Sequence, residues 1–492
     1  MSSGGSVFEF GPFQLDPERR RLWKGQDVVP VSDRHLDILA HLVAHAGTVL
    51  SKDALIEAAW PDVAVTDNSL EQAISGLRRT LAANAAEGGP GIETVPRRGY
   101  RFTGKVTRTT HRGSDEDLEA LLAPHRAWLE GQAALELLER ESVDAARAAF
   151  ERALRAAPDY APPHIGMANA CVFRFECTRS DANPDGEALA TAVRHAREAC
   201  RLQPGLAEAW ATLGFVLSRA GTDDAIAAAR RSVALEPDNW RHQLRLASVG
   251  WGEERLRAAS RALALLPGLG LAHFLAATVH VARQSLAAAR RDLDAGAAAQ
   301  DEPRVAGRSR FSAVGLHWLR GLVLLAEGDE DAARHELERE LGFERSGHVY
   351  AAECCAQVHY ALGALAWRKN DARETVVASF DRALALASGH VMALAARTAL
   401  TAAPENERRA AALEARLAAL RSRAPAEAAM AAAVGHVLVD DHRRAADLVR
   451  EALASAGAGG QGWLVTVDPL LAVSRHPDEW AAALALLRSR AA

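Results

Sequence analysis

Prolines end predicted helices at nearly regular intervals through the middle of the chain. They are Pro158, Pro204, Pro237 and Pro267, with spacings of 46, 33 and 30 residues. The segment before each proline is helical in its apolar spacing, and small residues come early in the segment after it. A helical pair of this length cannot bury its own apolar face, so successive pairs must stack on one another. The period therefore predicts that most of the sequence forms an α-helical superhelix.

The period of about 34 residues, with helix ends of the form RALALLP, resembles that of tetratricopeptide repeats. The insertion Thr178–Gly186 accounts for the longest spacing. This resemblance implies a concave groove that binds a partner protein, a peptide or a second copy of the chain. We predict a repeat domain over residues 120–400. Residues 401–492 are predicted to be further helical repeats and a terminal cap, interrupted by a flexible break at Gly457–Gly462.

The first hundred residues have a different pattern. Residues 7–31 contain short alternating apolar segments separated by Gly11-Pro12, Asp16-Pro17 and Gly25, which predict a small antiparallel sheet. A helix is predicted over Asp33–Ala46 and a shorter one over Ser51–Trp60, with Ser51 as its N-cap. This part of the chain is therefore predicted to be α+β.

The segment Asp67–Ala83 predicts an amphipathic helix that begins with the capping box Asn68-Ser69-Leu70-Glu71. Its apolar residues fall at i, i+4, i+7 and i+11, and they are Leu70, Ile74, Leu77 and Leu81. The opposite face carries small or hydrogen-bonding residues, namely Ser69, Gln72, Ser75, Gly76 and Arg79. Such a face suits base edges and phosphates in a major groove of DNA.

A hairpin is predicted directly after that helix, over IETVPRRGYRF at Ile92–Phe102. The run from Arg97 to Arg112 holds six basic residues and no acidic one. Helix, loop, helix and a hairpin tipped with arginines resemble the OmpR/PhoB-type winged-helix DNA-binding domain. The N-terminal placement and the TVPRRGYRF ending are similar to those of CadC/HilA-like transcription regulators. The resemblance implies a winged helix-turn-helix over residues 1–106 that binds double-stranded DNA, followed by a linker over residues 107–119.

The same resemblance implies which residues contact DNA. The matching positions on the reading helix are Asn68, Ser69, Gln72, Ala73, Gly76 and Arg78, and we add the neighbouring Arg79. Base-specific contacts are expected from Ser69 and Gln72, because Ala73 and Gly76 are small. At the wing we expect contacts from Thr94, Arg97 and Arg98. Pro96 stands where the family often has an arginine, so the minor-groove role falls to Arg97 or Arg98.

Charge and composition narrow the classes of function. The formal net charge is −5, and residues 1–112 carry 14 Lys/Arg against 13 Asp/Glu, so the first domain is near neutral with a local basic strip. This distribution is typical of a sequence-specific DNA-binding protein rather than an indiscriminate one. Five cysteines without a CxxC motif indicate a reducing compartment. With no signal peptide and no long apolar run, the sequence predicts a cytoplasmic protein without a membrane segment.

No motif predicts a catalytic site, a cofactor or a metal ion. Asp181–Gly186 imitates the start of a calcium loop, but position twelve of that loop would be Ala192 rather than glutamate. His348, Cys354, Cys355 and His359 fit a buried repeat core as well as a ligand cluster. The sequence therefore predicts that the protein is not an enzyme. The alternative to a transcription regulator is a repeat scaffold whose winged helix docks protein rather than DNA.

Overall fold

The structure is a computed structural model that describes residues 6–25, 27–60, 67–84, 89–110, 113–301, 313–401 and 407–492, with only the backbone described at 67, 68, 110 and 113–117. The chain divides into two compact units, Met1–Leu122 and Ala123–Ala492. The first unit is α+β, and the second is α-helical. The described architecture is therefore mainly α, with a small α+β unit at its N-terminus, as the sequence predicts.

An antiparallel sheet of five strands forms one side of the first unit, in the order β4-β3-β2-β1-β8. Its strands are β1 (Ser6–Phe10), β2 (Phe13–Asp16), β3 (Arg21–Lys24), β4 (Asp27–Val29) and β8 (Val106–Thr110). Phe10, Phe13 and Leu15 point from this sheet into the core and are at most 2% exposed. Alternating apolar residues thus cover one face of the sheet with the core, as the period-2 pattern predicts.

Three helices and a second sheet complete the unit. The helices are α1 (Asp33–Ala44), α2 (Lys52–Ala59) and α3 (Asp67–Asn84). The sheet has the order β5-β7-β6, with β5 (Val49–Leu50), β6 (Ile92–Val95) and β7 (Gly99–Phe102). Ser51 caps α2, because its side chain accepts a hydrogen bond of 3.2 Å from the Ala54 N–H. The side chain of Asn68, which begins the predicted capping box of α3, lies outside the described residues.

The segment predicted as a linker is largely regular structure. Val106–Thr110 is strand β8, which pairs antiparallel with β1 from Phe10↔Val106 to Ser6↔Thr110. A long helix, α4, then starts at Gly113. Threonines favour a strand despite their polarity, and an edge strand can leave one face in water. Polar composition in this part of the chain is therefore compatible with regular secondary structure, as the exposed residues 107–109 of β8 show.

The second unit consists of helices joined by short turns. Their bounds are α4 Gly113–Leu135, α5 Arg140–Ala156, α6 Ala161–Glu176, α7 Gly186–Leu202, α8 Ala207–Ala220, α9 Ala225–Leu235, α10 Trp240–Val249, α11 Gly252–Leu265, α12 Gly270–Ala282, α13 Leu286–Asp301, α14 Leu316–Glu327, α15 Glu330–Leu341, α16 Ala351–Arg368, α17 Arg373–Leu386, α18 Val391–Ala399, α19 Glu407–Arg421, α20 Pro425–Val437, α21 His442–Ser455 and α22 Pro477–Arg490. Two short 3₁₀ helices, Trp463–Thr466 and Val473–Arg475, precede the last helix.

These helices form successive pairs, from α4–α5 to α20–α21, in the manner of tetratricopeptide repeats. The first helices of successive pairs contact one another in a row, α6 to α8, α8 to α10, α10 to α12, α12 to α14 and α14 to α16. Successive second helices make no comparable contacts within the described residues. The first helices therefore lie on the inner, concave side of the curve.

Early and late repeats also contact each other directly. The Val349 N–H donates a hydrogen bond of 2.8 Å to the Leu138 carbonyl, beside a β-bridge between Glu139 and His348. The Gly389 N–H donates at 2.9 Å to the Ser180 carbonyl, which lies in the insertion loop. Residues about two hundred positions apart are thus joined, and the insertion loop has a structural role in closing the repeat array.

Candidate nucleic-acid interface

Helix α3 has one packed face and one exposed face. Leu70, Ile74, Leu77 and Leu81 are all at most 2% exposed, which confirms the predicted apolar stripe. Gln72, Ser75 and Arg79 are exposed and lie along the opposite side, because residues three and four positions apart share a helix face. The exposed face therefore presents an amide, a hydroxyl and a guanidinium in line.

Two of the predicted contact residues, both of them small, pack against other parts of the domain. Ala73 is only 5% exposed and belongs to the hydrophobic core, since each residue turns the helix by about 100° and Ala73 follows the exposed Gln72. Gly76 packs under His35 of α1, and a Cβ at this position would lie 2.9 Å from His35 Cε1. Both small residues contribute to the packing of α3 on the domain, and the contacts with DNA predicted for them stay predictions.

Ser69 is half-buried at the start of the helix, next to the exposed Glu71. Glu71 accepts a hydrogen bond of 2.9 Å from the Lys52 Nζ of α2, which links the two helices of the helix-turn-helix. The side chain of Asn68 lies outside the described residues, so its contact stays a prediction. Ser75 is not among the contact residues that the family resemblance implies, but it is exposed and lies three residues after Gln72 on the same face.

Arg78 points toward the hairpin rather than away from the domain. Its Nε donates to the Ile92 carbonyl at 2.8 Å, and its Nη2 donates to Thr94 Oγ1 at 2.7 Å. Its guanidinium also lies 5.9 Å from the ring centre of Tyr100. Two of the predicted contact residues, Arg78 and Thr94, are therefore bonded to each other, and this contact holds the hairpin against α3. The phosphate contact predicted for this helix end is left to Arg79, which makes no ion pair with a described residue.

The wing is the hairpin of β6 and β7, closed by a tight turn at Pro96-Arg97-Arg98. The Arg98 N–H donates to the Val95 carbonyl at 3.0 Å, and Arg97 has a positive φ of 61°. Proline at the second position and a left-handed third position are what a type II turn requires. Arg97 and Arg98 are both exposed at the tip, and neither pairs with a carboxylate among the described residues.

The root of the wing depends on Gly99, which is buried and has a φ of 130°. A Cβ at this position would lie 1.8 Å from the Leu50 carbonyl oxygen, which is far inside van der Waals contact. The hairpin can therefore approach β5 only with glycine here. Further along β7, Arg101 pairs with Glu93 across the strands at 2.6 Å, so its charge is already compensated.

The second predicted interface is the groove of the repeat domain, and part of it is occupied by the chain itself. The C-terminal segment, residues 460–492, packs on the first helices α12, α14 and α16. Trp463 packs edge-on against Trp318 of α14, at 6.4 Å between ring centres. The hydroxyl of Tyr360 in α16 donates to Asp468 Oδ1 at 3.1 Å. Arg283, directly after α12, donates from its Nε to the Ala491 carbonyl at 2.7 Å.

Asp468 anchors this segment in a buried position. Its Oδ1 also accepts the backbone N–H groups of Leu470 and Leu471, at 3.0 and 2.9 Å. Burial raises the pKa of Asp468 to about 6, and these hydrogen bonds only partly oppose that rise. The C-terminal segment is thus an integral part of the repeat domain.

One group of side chains in the described part of the chain has ligand atoms close enough for a metal ion, namely Asp440, His442 and His476. The rings of the two histidines are stacked, 3.4 Å apart and inclined by 14°. Lone pairs in stacked rings point in parallel directions and do not converge on one ion. The cluster suggested by the sequence around Cys354 and Cys355 is a packed one, and burial raises the pKa of both thiols. No described helix is both long and apolar enough to cross a bilayer.

Comparisons with known proteins place the first unit in a family. Residues 25–102 match the family model described as "Transcriptional regulatory protein, C terminal". The chain is 33% identical over 96 residues to the transcriptional activator CadC of Escherichia coli, which covers 20% of this chain and 19% of CadC. It is 31% identical over 99 residues to the transcriptional regulator HilA of Salmonella typhimurium, covering 20% of this chain and 17% of HilA.

The solved structure of the DNA-binding domain of Escherichia coli CadC is also similar and is 30% identical in sequence. The match covers 22% of this chain and 100% of that domain, with a TM-score of 0.20. The likeness to the full-length regulators thus spans less than a fifth of their length. It coincides with the unit that contains α1 to α3 and the wing. The domain at residues 25–102 belongs to the OmpR/PhoB-type family of winged-helix DNA-binding domains found in transcriptional regulators, and here it precedes a tetratricopeptide-like α-helical array.

Proposed function

We propose that this chain is a sequence-specific DNA-binding transcription regulator that acts in the cytoplasm. In this proposal α3 lies in the major groove, and Arg97 and Arg98 lie at the adjacent minor groove. The repeat domain binds a partner protein, a peptide or a second copy, and this binding controls when the first domain acts.

The observation that carries the proposal is the exposed row Gln72, Ser75 and Arg79 on α3. From the first to the last of these residues the helix rises by about 10 Å, which suits a major groove about 12 Å wide. The amide of Gln72 can pair with the two hydrogen-bonding atoms of an adenine edge, and Arg79 can reach a phosphate. Ser69 at the start of the helix is the other candidate for a base contact.

The turn at the wing tip also supports the proposal that the first unit binds DNA. A left-handed backbone costs a residue other than glycine about 1 kcal/mol, and Arg97 nevertheless occupies that position. Strain of this kind is expected where the side chain has a function. At this tip Arg97 projects a cation away from the domain, and Arg98 follows it. Two exposed, uncompensated cations are what a phosphate backbone or a narrow minor groove attracts.

Control through the repeat domain is the second half of the proposal. A single winged helix contacts only a few base pairs, so a second copy on a neighbouring half-site would add both affinity and specificity. Stacked helical pairs provide an extended concave surface for such contacts. Because residues 460–492 cover α12, α14 and α16, we assign the partner to the remaining inner surface.

The test is selection of DNA fragments by the full chain at about 0.15 M salt, where non-specific contacts are already weakened. Residues 113–492 serve as the control protein. We expect a few fragments with a shared motif to be enriched by the full chain and not by the control. If neither the full chain nor residues 1–112 enrich any motif, the first domain docks a protein instead, and the proposal fails.

A further inference from the structure

The inner helices α6, α8 and α10 remain outside the contacts made by the C-terminal segment. They carry two phenylalanines and two arginines that converge, namely Phe173 of α6, Phe215 and Arg219 of α8, and Arg245 of α10. The rings of Phe173 and Phe215 are 6.4 Å apart. The Arg245 guanidinium lies 3.9 Å from the ring centre of Phe215 and 6.0 Å from that of Phe173. An arginine therefore lies against an aromatic wall on the concave side of the array.

Arg245 has few polar partners. Its Nη2 donates to Asn169 Oδ1 at 3.1 Å, which is the one hydrogen bond that it makes to a described residue. A guanidinium has five N–H donors, and stacking on a ring uses its face rather than its edge. Asn169 is itself held by Thr212 Oγ1, to which its Nδ2 donates at 3.3 Å. Most of the hydrogen-bonding edge of Arg245 is therefore available to a ligand.

Two carboxylates near Arg245 are already paired with other arginines. Glu176 accepts from Arg219 Nε at 2.9 Å and pairs with Arg179 at 3.3 Å. Glu353 pairs with the same Arg179 at 2.7 Å. Arg179 and Arg219 thus share these two carboxylates, and Arg245 forms no ion pair within the described residues. The positive charge of Arg245 beside Phe215 is therefore balanced only at longer range, by Glu208 and Glu176, and has no directly bonded carboxylate.

Arg255, at the next pair, shows how a buried arginine is satisfied without a ligand. It donates to the carbonyls of Ala247 and Gly250 at 2.9 and 3.0 Å, and to Thr278 Oγ1 at 2.8 Å. Arg245 has no such set of acceptors. Burial lowers the pKa of Arg245 to about 10, yet the side chain is still partly accessible to solvent.

We propose that Arg245 and the aromatic wall of Phe173 and Phe215 form a binding site for an oxyanion, a carboxylate or a phosphate, carried by a ligand with an adjacent apolar group. The oxyanion accepts from the free edge of Arg245, and the apolar group packs on Phe173. The site defines the chemical class of ligand that would control the repeat domain. The role of that ligand in regulation rests on the proposed function, whereas the binding site itself does not.

The test is titration calorimetry of the full chain with three probes in chloride buffer: inorganic phosphate, phenylacetate and an acidic peptide of glutamate and phenylalanine. We expect saturable binding of at least one probe, weakened about tenfold to a hundredfold by Arg245→Gln, the usual contribution of a charge-assisted hydrogen bond. Arg241→Gln is the matched control, because Arg241 is one turn away on α10 and exposed. It should bind like the wild type.

Binding of phosphate or phenylacetate assigns the site to small anions, and binding of the peptide alone assigns it to an acidic peptide. Arg245→Lys keeps the charge but loses the planar edge, so it should bind with intermediate affinity and serves if Arg245→Gln does not fold. Absence of binding by all three probes, or equal binding by Arg245→Gln, would overturn the inference. Since no DNA is present, either result leaves the DNA-binding proposal unaffected.

Discussion

Arg78 on α3 donates a hydrogen bond of 2.7 Å to Thr94 on the wing hairpin, and this contact sets the angle between the two elements proposed to bind DNA. The same guanidinium donates a second hydrogen bond of 2.8 Å to the carbonyl of Ile92, two residues before Thr94 at the start of β6. The residue that the family resemblance implies as a DNA contact is thus a brace within the domain. Its effect on DNA binding should come through the position of the wing.

Replacing Arg78 by methionine removes both hydrogen bonds and keeps part of the stem. We expect the hairpin to lose about 2 kcal/mol of local stability, because hydrogen bonds to a charged group contribute about 1.5–3 kcal/mol. Hydrogen exchange at β6 and β7 measures this loss directly. Arg79→Met is the control, with weaker DNA binding but unchanged exchange. Equal exchange in the two variants would show that Arg78 does not brace the wing.

Removing the wing-tip charges with Arg97→Ala and Arg98→Ala should weaken binding to all DNA sequences alike. Each lost phosphate contact should reduce the slope of log K against log salt by about 0.9. Fluorescence anisotropy at several salt concentrations gives that slope. Arg97→Gly separates charge from backbone, since glycine relieves the left-handed φ. Stability should be maintained or rise by up to about 1 kcal/mol while DNA affinity falls.

Gln72 and Ala73 are neighbours in sequence with opposite environments, and they should respond differently to substitution. Gln72→Ala should change the preferred base at one position by about 1–3 kcal/mol, without loss of stability. Ala73→Leu should overpack the core and destabilise the first unit by about 1–3 kcal/mol, while base preference in the folded fraction is unchanged. Motif selection and thermal unfolding of both variants check this pair. A changed motif in the folded Ala73→Leu protein would restore Ala73 as a contact residue.

Stability of the repeat domain should depend on pH through Asp468. Its pKa is raised to about 6 in the folded state, so between about pH 4 and pH 6 the folded chain holds a proton that the unfolded chain has lost. Stability therefore falls as pH rises through this window, by up to about 3 kcal/mol. Asp468→Asn keeps an acceptor for Tyr360 and removes the charge. Urea unfolding from pH 4 to 7 should show a smaller decrease in this variant than in the wild type, and identical profiles would contradict the prediction.

The sequence predicts those features that depend on local pattern. The stripe from Leu70 to Leu81 and the Ser51 cap follow from helical spacing and capping chemistry, and both are confirmed. What the sequence does not predict has one common cause, which is that position in a motif does not reveal tertiary neighbours. Gly76 is a small residue on the predicted open face, yet His35 from another helix covers it.

Long-range pairing explains the remaining differences. Strand β8 exists because β1, about a hundred residues earlier, offers it an edge. Coverage of the groove by the C-terminal segment depends on contacts such as Tyr360 with Asp468, which no period in the sequence encodes. The sequence does not predict the environment of Arg245 for the same reason. That Arg245 has no carboxylate partner depends on how helices α6, α8 and α10 pack together.

The hydrogen bonds from Val349 to Leu138 and from Gly389 to Ser180 change how this array can fold and evolve. An open solenoid folds from any nucleus by adding neighbours, and its length can drift by gain or loss of a unit. Here the ends of a loop of about two hundred residues must meet before those contacts form, which raises contact order and slows folding. Deleting one helical pair between these partners would move the later partner out of register. The number of helical pairs between them is therefore fixed by these two contacts.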